Sequence, residues 1–335
     1  VCEIKTGNKD TQNKVENGKY PFFVRSNTVE KIDSYSYDGE AILTSGDGVG
    51  VGKNFHYING KFDFHQRVYA LRNFRDGYSG KYIYHLFSEK FYDRVRKLSA
   101  KNSVDSVRMD MISQMKVYFP LLLEQQTISS FLSLIEDRIT TQNQIIEQIE
   151  FYFKGIKDNL FSQKIRFGGF ADNWETKKLG DVLLKNSTKN KNQKHSTVQS
   201  VSNKYGFINQ EDIFEDRRVA SVDTSNYYVI DKGCFAYNPS RINVGSLAYK
   251  FDDKISIISP LYISFKAENI FLIDTFLLYW FKTIEFTKQM NNSFEGSVRN
   301  TLSYENLIKM NISIPSLEEQ IQISSFLTKI DQKIQ

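Results

Sequence analysis

The chain is expected to be an α+β protein: two β-rich domains separated by long antiparallel coiled-coil helices, built as an internal repeat with pseudo-twofold character. Three observations predict it. First, one phrase occurs twice, as PLLLEQQTISSFLSLIEDRIT from Pro120 and as PSLEEQIQISSFLTKIDQKIQ from Pro315, a spacing of 195 residues. The copies share Pro120/Pro315, Leu122/Leu317, Glu124/Glu319, Gln125/Gln320, Ile128/Ile323, the run Ser129–Leu132 against Ser324–Leu327, Ile135/Ile330 and Ile139/Ile334. A fixed-period repeat governs every later decision about fold. Second, each copy opens an apolar 4-3 pattern. Third, the segments before the copies read as short strands with turn punctuation. The resulting divisions are a first β-rich domain at 1–119, lacking its opening residues; a long helix at 120–165; a second domain at 166–314; and the truncated start of a second helix at 315–335.

In the first domain, Ala41–Leu43 and Phe55–Ile58 read as strands, and Asn59-Gly60 as the hairpin turn after the second. Gly80–Leu98 reads as a helix. In the next segment the apolar positions are Ile128, Leu132, Ile135, Ile139, Ile146, Ile149, Phe153, Ile156 and Leu160, interrupted by Gln142. Such a heptad seam needs a partner helix. The second copy supplies the same register at Ile323, Leu327, Ile330 and Ile334. Pro120 and Pro315 suit a helix start, where a missing N–H costs nothing. Helical throughout, Glu124–Gln163 would extend roughly 60 Å. Gly168-Gly169 is expected to end it, with Trp174 and Leu179 anchoring the approach to the second domain. There Tyr227–Ile230, Cys234–Tyr237 and Ile255–Ile258 read as strands, and Asp274–Met290 as one helix. The two domains share an order of features. Gly39–Leu43 matches Gly233–Tyr237, Val51-Gly52 matches Val244-Gly245, and Ser106-Val107-Arg108 matches Ser297-Val298-Arg299.

Composition narrows the function. Hydrophobic residues make up 40% and charged residues 25% of 335, enough to bury real cores. Two cysteines in unrelated contexts form neither a disulfide framework nor a zinc spacing, which suits a cytoplasmic location. No apolar run approaches the ~20 residues of a membrane span. Residues 1–119 carry 19 Lys/Arg against 14 Asp/Glu and residues 166–314 carry 19 against 16, whereas both helical copies are net acidic. Basic modules on acidic spacers suit a polyanion touched at two places.

No catalytic constellation emerges, and no cofactor or metal is expected in this chain. Gly46, Gly48, Gly50 and Gly52 precede a strand-like segment instead of a helix, so they read as a turn that can approach a phosphate closely, not as a nucleotide loop. Asn238-Pro239-Ser240-Arg241 lacks the aromatic and the glycine-rich loop of an amino-methyltransferase. The four histidines do not fall at ligand spacings. Candidate DNA-contacting residues are Lys53, His56, His65, Arg67, Ser106 and Arg108 in the first domain. In the second they are Lys189, Lys191, Lys194, Arg217, Arg218, Asn238, Arg241, Asn243, Ser297 and Arg299. Arg and Asn suit base edges, Lys and glycine-backed loops suit phosphate; any one of them is equally well an ordinary surface group.

The repeated Pro-x-Leu-x-Glu-Gln-x-x-Ile-x-x-x-Leu block, with Phe170-x3-Trp174-x4-Leu179-Gly180 and Ser-Val-Arg ahead of each helix, resembles the specificity subunit of type I restriction-modification systems. The resemblance covers essentially the whole chain. It implies that each domain is a target recognition domain reading half of a bipartite, asymmetric double-stranded DNA site. The helices would set the spacer and dock two modification subunits, with restriction subunits joining in the full complex. S-adenosylmethionine, ATP and Mg would belong to those partners, and this chain would be a non-catalytic reader of a deoxyribonuclease and adenine-N6 methyltransferase complex. The competing readings are a protein-interaction scaffold and a stand-alone DNA-binding regulator.

Overall fold

The computed structural model describes residues 1–48, 50–99, 106–210, 223–294 and 300–334. These fall into two compact units, Val1–Asn143 and Gln144–Gln335.

In the first unit, six strands form one sheet: β1 (Glu3–Thr6), β2 (Tyr20–Phe23), β3 (Val29–Ile32), β4 (Tyr37–Ser45), β5 (Phe55–Phe64) and β6 (Val68–Arg72), in the order β1-β6-β4-β5-β2-β3. All pairs are antiparallel except β2 with β5. Helix α1 (Gly80–Leu98) is capped by the Ser79 hydroxyl, which accepts from the Tyr82 N–H. Its buried stripe of Ile83, Phe87, Phe91 and Val95 has helical spacing and covers Ile42 and Leu71 of the sheet. A short α2 (Met109–Ser113) adds Met111 and Ile112 before α3 (Leu122–Phe161), a single helix of 40 residues, begins.

The second unit comprises β7 (Glu175–Lys178), β8 (Leu183–Lys185), β9 (Val198–Ser202), β10 (Gly206–Asn209), β11 (Tyr228–Ile230), β12 (Phe235–Tyr237), β13 (Leu247–Tyr249), β14 (Ser256–Ile258), β15 (Ile263–Ala267), α4 (Asp274–Trp280), α5 (Ile284–Asn292), α6 (Tyr304–Leu307), β16 (Asn311–Ile314) and α7 (Leu317–Ile334). Its sheet β8-β15-β12-β13 repeats the antiparallel order β1-β6-β4-β5 of the first unit. A second four-stranded sheet, β10-β9-β14-β11, keeps a parallel β9–β14 pair where the first unit has β2–β5, and β7 pairs with β16 in an antiparallel two-stranded sheet. Strands β4 and β5 therefore each correspond to two strands in the second unit, β11 plus β12 and β13 plus β14.

That correspondence corrects the Asn59-Gly60 turn. Strand β5 runs straight through both residues, with Asn59 opposite Glu40 and Gly60 opposite Gly39. Both glycines hold φ near +145°, so the pair lets the long hairpin bend without ending it. The true hairpin loop is the glycine-rich stretch after Ser45. Two helix expectations also change. Asp274–Met290 is split at Thr283, whose hydroxyl donates to the Trp280 carbonyl and accepts from the Phe286 N–H, capping a new helix. Helix α3 ends before Gly168-Gly169. Gln163 takes the left-handed conformation (φ +60°) and the Lys164 N–H returns to the Asn159 carbonyl, closing the helix with a non-glycine residue.

The repeated phrase makes the same contacts twice. Gln125 is buried; its carbonyl accepts from the Ser79 N–H at 3.0 Å, and its amide donates to Gly77 O at 3.1 Å and Pro120 O at 2.8 Å. Gln320, also buried, accepts from the Ile273 N–H at 2.8 Å and donates to Phe271 O at 2.9 Å and Pro315 O at 3.0 Å. Each glutamine thus ties its own proline to the start of its domain's first helix. A second contact recurs two turns on. His85 Nε2 meets Ser133 Oγ at 3.4 Å and its Nδ1 lies 3.4 Å from Glu136. In the second unit the Tyr279 hydroxyl lies 3.2 Å from both Thr328 Oγ1 and Asp331 Oδ2. Ser129 and Ser324, small and buried, let the backbones approach between these two contacts.

Of the seam residues, Leu160, Ile323 and Leu327 are buried in the second unit's core with Phe153 and Ile156 packed against it. Ile128, Leu132, Ile146, Ile149, Ile330 and Ile334 are half-buried, and Ile135 and Ile139 are exposed. The face of α3 that packs in the first unit is instead Gln125, Ser129 and Ser133. Among the described residues no helix is long and apolar enough to cross a membrane.

Replacing Gln320 by Ala strands the Ile273 N–H and two carbonyls, and is expected to cost about 2–4 kcal/mol in urea unfolding. Gln320→Glu, which still accepts but no longer donates, is expected to lose most of the same stability. Gln125→Ala should behave alike in the first unit.

Candidate nucleic-acid interface

Each unit presents the same pair of loops side by side, the turn of one hairpin and the longer loop of another. In the first unit these are the β2–β3 turn and the β4–β5 loop. Arg25, just after β2, donates to Asp47 Oδ1 at 3.1 Å, and Arg67 lies 3.3 Å from Asp47 Oδ2. One carboxylate therefore holds two guanidinium groups, leaving a net positive rim with both side chains oriented. Arg67 remains two-thirds exposed. Gly48, Gly50 and Gly52 all have φ between +75° and +92°, which makes glycine the natural residue at each. At Gly46 a Cβ would lie 2.9 Å from the Arg67 carbonyl. Buried Asn54 closes the loop by donating to Ser45 Oγ at 3.3 Å. Lys53 projects from it, its ammonium 4.4 Å from the centre of the Tyr92 ring.

Ser106 and Arg108 join this rim. Ser106 bridges Asp47 through the backbone, and the Val107 N–H donates to Gly46 O at 2.7 Å. Arg108 is exposed, with Nε 3.3 Å from Asp110. The two histidines lie behind the rim. His56 Nε2 is 3.0 Å from the Ser26 carbonyl, bracing the β2–β3 turn. His65 is buried and turned inward, contrary to a solvent-facing contact: its Nδ1 accepts from the Arg67 N–H at 2.9 Å and its Nε2 faces Asp10 at 3.7 Å. Burial pushes its pKa below the ordinary 6.5, and the Arg25 charge adds to this.

In the second unit the two loops are the β9–β10 turn, 203–205, and the β12–β13 loop, 238–246. Asn203 donates to the Val244 carbonyl at 3.4 Å, joining them. Arg241 and Asn243 are exposed at the rim, beside Tyr205, which is 68% exposed with Lys204 packed on its ring. Asn238 shapes the loop by accepting from the Ser240 N–H at 3.0 Å. Gly245, at φ +87°, closes it. The Leu302 N–H donates to Pro239 O at 3.0 Å, the counterpart of Val107 to Gly46. Val107 and Leu302 are 195 residues apart, the period of the repeat. Thr301-Leu302-Ser303 therefore stands in the place of Ser106-Val107-Arg108, while Ser297-Val298-Arg299, matched to it in sequence, lies outside the described residues.

Ser297 and Arg299, like Arg217 and Arg218, lie outside the described residues. Lys189, Lys191 and Lys194 are not brought to the rim. They sit beside β11, at the opposite edge of its sheet from β10. Lys189 is tied down, 3.2 Å from the Tyr228 ring centre and 2.9 Å from Asn226 O. Buried Asn190 folds the loop around itself, donating to His195 O and accepting from the His195 N–H, which leaves Lys191 and Lys194 exposed. Arg25, Asn203, Lys204 and Tyr205 carry no signal in the sequence. Each is an unremarkable residue at a hairpin tip until strand pairing sets that tip beside the second loop. Among the described residues no group of three or more His, Cys, Asp or Glu side chains could hold a metal ion.

A family model described as a type I restriction modification DNA specificity domain matches residues 1–151 and again 171–335. The chain is 22% identical over 211 residues to the type I restriction enzyme EcoDI specificity subunit of Escherichia coli, covering 62% of this chain and 46% of that protein. It is 22% identical over 232 residues to the MjaIX specificity subunit of Methanocaldococcus jannaschii, covering 61% and 53%. It thus spans about half the length of these relatives. In fold it is similar to the crystal structure of a type I restriction-modification S subunit from M. genitalium, with TM-score 0.66 and 16% identity over 99% of this chain and 87% of that one.

His65 and His85 both have pKa values lowered by burial. Between the folded and unfolded values the unfolded chain binds more protons, so stability falls as pH drops below about 6.5. Chemical denaturation from pH 7 to 5 is expected to show this loss, and His65→Asn to flatten it.

Proposed function

The chain belongs to the family of type I restriction-modification DNA specificity domains, and from that premise we propose that it is the DNA-reading part of such a system. Each unit reads one half of a bipartite, asymmetric double-stranded site through its two-loop rim. The observation that carries this reading is the duplication of the rim: two basic, exposed loop pairs of different chemistry hang on two copies of one helical frame. Arg25, Lys53, Arg67 and Arg108 in the first unit and Lys204, Arg241 and Asn243 in the second supply the charge and the bidentate donors that phosphate and base edges require. Tyr205 adds an exposed ring suited to packing against the sugar–phosphate backbone.

In this reading the helices hold the two half-sites at a fixed spacing and dock two adenine-N6 methyltransferase subunits, and restriction subunits join to cleave unmodified DNA. S-adenosylmethionine, ATP and Mg act on those partners. The target base would be rotated out of the duplex into a methyltransferase pocket, so this chain contributes recognition and placement and no bond-making step. Holding Arg25 and Arg67 on Asp47 before DNA arrives reduces the ordering cost of binding. The glycine loop lets backbone N–H groups come close to phosphate without Cβ obstruction.

The test is DNA binding by the methyltransferase complex as a function of salt. Arg67→Ala and Lys204→Ala are each expected to weaken binding and to reduce the slope of log K against log salt by roughly 0.9 for each phosphate that is no longer neutralised. Lys189→Ala, away from the rim, should leave the slope unchanged. Unaltered affinity and slope in both rim variants would remove the proposed interface.

A further inference from the structure

The first rim hangs on a series of hydrogen bonds that begins at a histidine. His65 Nδ1 accepts from the Arg67 N–H at 2.9 Å. The Arg67 carbonyl accepts from the Gly46 N–H at 2.7 Å, and the Gly46 carbonyl from the Val107 N–H at 2.7 Å. The β5–β6 turn, the glycine loop and the segment of Ser106 and Arg108 are thus joined in series, with Arg67 as the middle link. The His65 carbonyl closes the same turn by accepting from the Val68 N–H at 2.9 Å. A backbone N–H can only donate, so Nδ1 must be bare and the ring proton sits on Nε2, 3.7 Å from Asp10 Oδ2.

The second unit builds the same turn without a titrating group. His65 follows the parallel β2–β5 pair, and Ser259 follows the parallel β9–β14 pair. The Ser259 carbonyl accepts from the Tyr262 N–H at 3.1 Å, as His65 does from Val68. Its hydroxyl accepts from the Leu261 N–H at 3.3 Å, as the His65 ring does from Arg67. Leu261, in the place of Arg67, is exposed. A serine hydroxyl keeps its acceptor at any ordinary pH; an imidazole does not.

The charges around His65 come from each element packed on it. Asp10 faces it from the segment ahead of β2, with its carboxylate accepting from the Gln66 amide at 3.1 Å. Lys9 bridges His65 through the backbone. Arg25 stands at the end of β2, Asp47 in the glycine loop and Arg67 in the turn itself. Burial and then Arg25 favour the neutral ring, joined by Arg67, while Asp10 and Asp47 oppose them. A proton on Nδ1 would set two N–H groups against each other and break the first link of the series. The same proton, acting only as one more positive charge near the rim, would strengthen attraction to phosphate. The two effects have opposite signs.

We propose that His65 is the positioning residue of the first rim, and that protonation of its ring releases Arg67 and weakens reading by the first unit alone. The second unit, with Ser259 in that place, reads unchanged. The protein would then recognise one half of its site in a pH-dependent way and the other half not. The proposal rests on the rims being the DNA-reading surfaces, as argued above.

Two measurements test it, one on the full chain and one on its methyltransferase complex. In the chain, exchange protection of the Arg67 and Gly46 amides, corrected for intrinsic rate, is expected to fall about three- to tenfold between about pH 8 and about pH 5, the worth of one hydrogen bond. Protection at Leu261 should hold. In the complex, affinity for the DNA site that it methylates should fall by a similar factor over the same range. Discrimination against base changes should weaken in one half of that site and persist in the other. His65→Asn, whose amide oxygen accepts from the Arg67 N–H and takes up no proton, should make both measurements flat. His65→Ala, with no acceptor, should give the low value at both ends of the range. Flat protection in the native chain, affinity that is flat or rises on acidification, or the same pH dependence in His65→Asn would overturn the proposal while leaving the rims as DNA-reading surfaces. Absence of site-specific binding by the native complex at every pH would overturn that reading and this proposal together.

Discussion

The two units depend on one buried amide. Gln125 and Gln320 stand five residues after a proline, each spanning from that proline's carbonyl to the backbone where the domain's first helix begins. A glutamine is the right group because it must accept from an N–H and donate to two carbonyls at once. A carboxylate cannot donate, and an apolar side chain would leave buried polar backbone without partners. The ring contacts of His85 and Tyr279 fix the same helices a second time, two turns along. With two points of attachment, each domain helix has one orientation on its long helix. The sheet packed beneath that helix inherits it.

Divergence is then permitted everywhere except the frame. The sheets keep their strand order and the parallel pair, yet the first unit runs β4 and β5 unbroken through Gly39 and Gly60 where the second divides them. The rims keep their location and change their chemistry. The first unit carries two arginines on an aspartate over a glycine loop, and the second carries Arg241, Asn243, Lys204 and Tyr205 around a short turn. Surface loops tolerate such changes because they contribute few buried contacts, whereas the clamp residues are surrounded by core. A protein that must present different surfaces at a constant geometry places its identical residues where geometry is set.

Much of this was legible in the chain. The repeat, the extent of α1, the start and long run of α3, and the burial of Trp174 and Leu179 in the second unit's core follow from periodicity, caps and apolar content. What was not legible depends on pairing between distant strands. Asn59-Gly60 is a strong turn dipeptide, but Gly39 lies opposite Gly60 and the pair absorbs the bend within a strand. The hydrogen bond to Pro239 puts Leu302 in the place of Val107, a pairing that side-chain likeness alone does not point to. In sequence His65 is one of several basic side chains near a glycine loop, and only its burial beneath Arg67 shows it supporting the rim from inside. Arg25 and Tyr205 gain significance from what a second loop brings beside them. The split at Thr283 turns on a single hydroxyl that caps in both directions, which helical periodicity cannot register.

The central claim is that two equivalent rims, held on one repeated frame, read two separate half-sites. It is tested most directly by mapping methylation at base resolution in cells carrying the complete system, comparing the native chain with one whose 203–205 and 241–243 residues are replaced by Gly and Ser. The account predicts that sequence preference relaxes in one half of the methylated site, while the other half and the spacing between them persist. Loss of preference in both halves together, or a methylation pattern identical to that of the native chain, would contradict it.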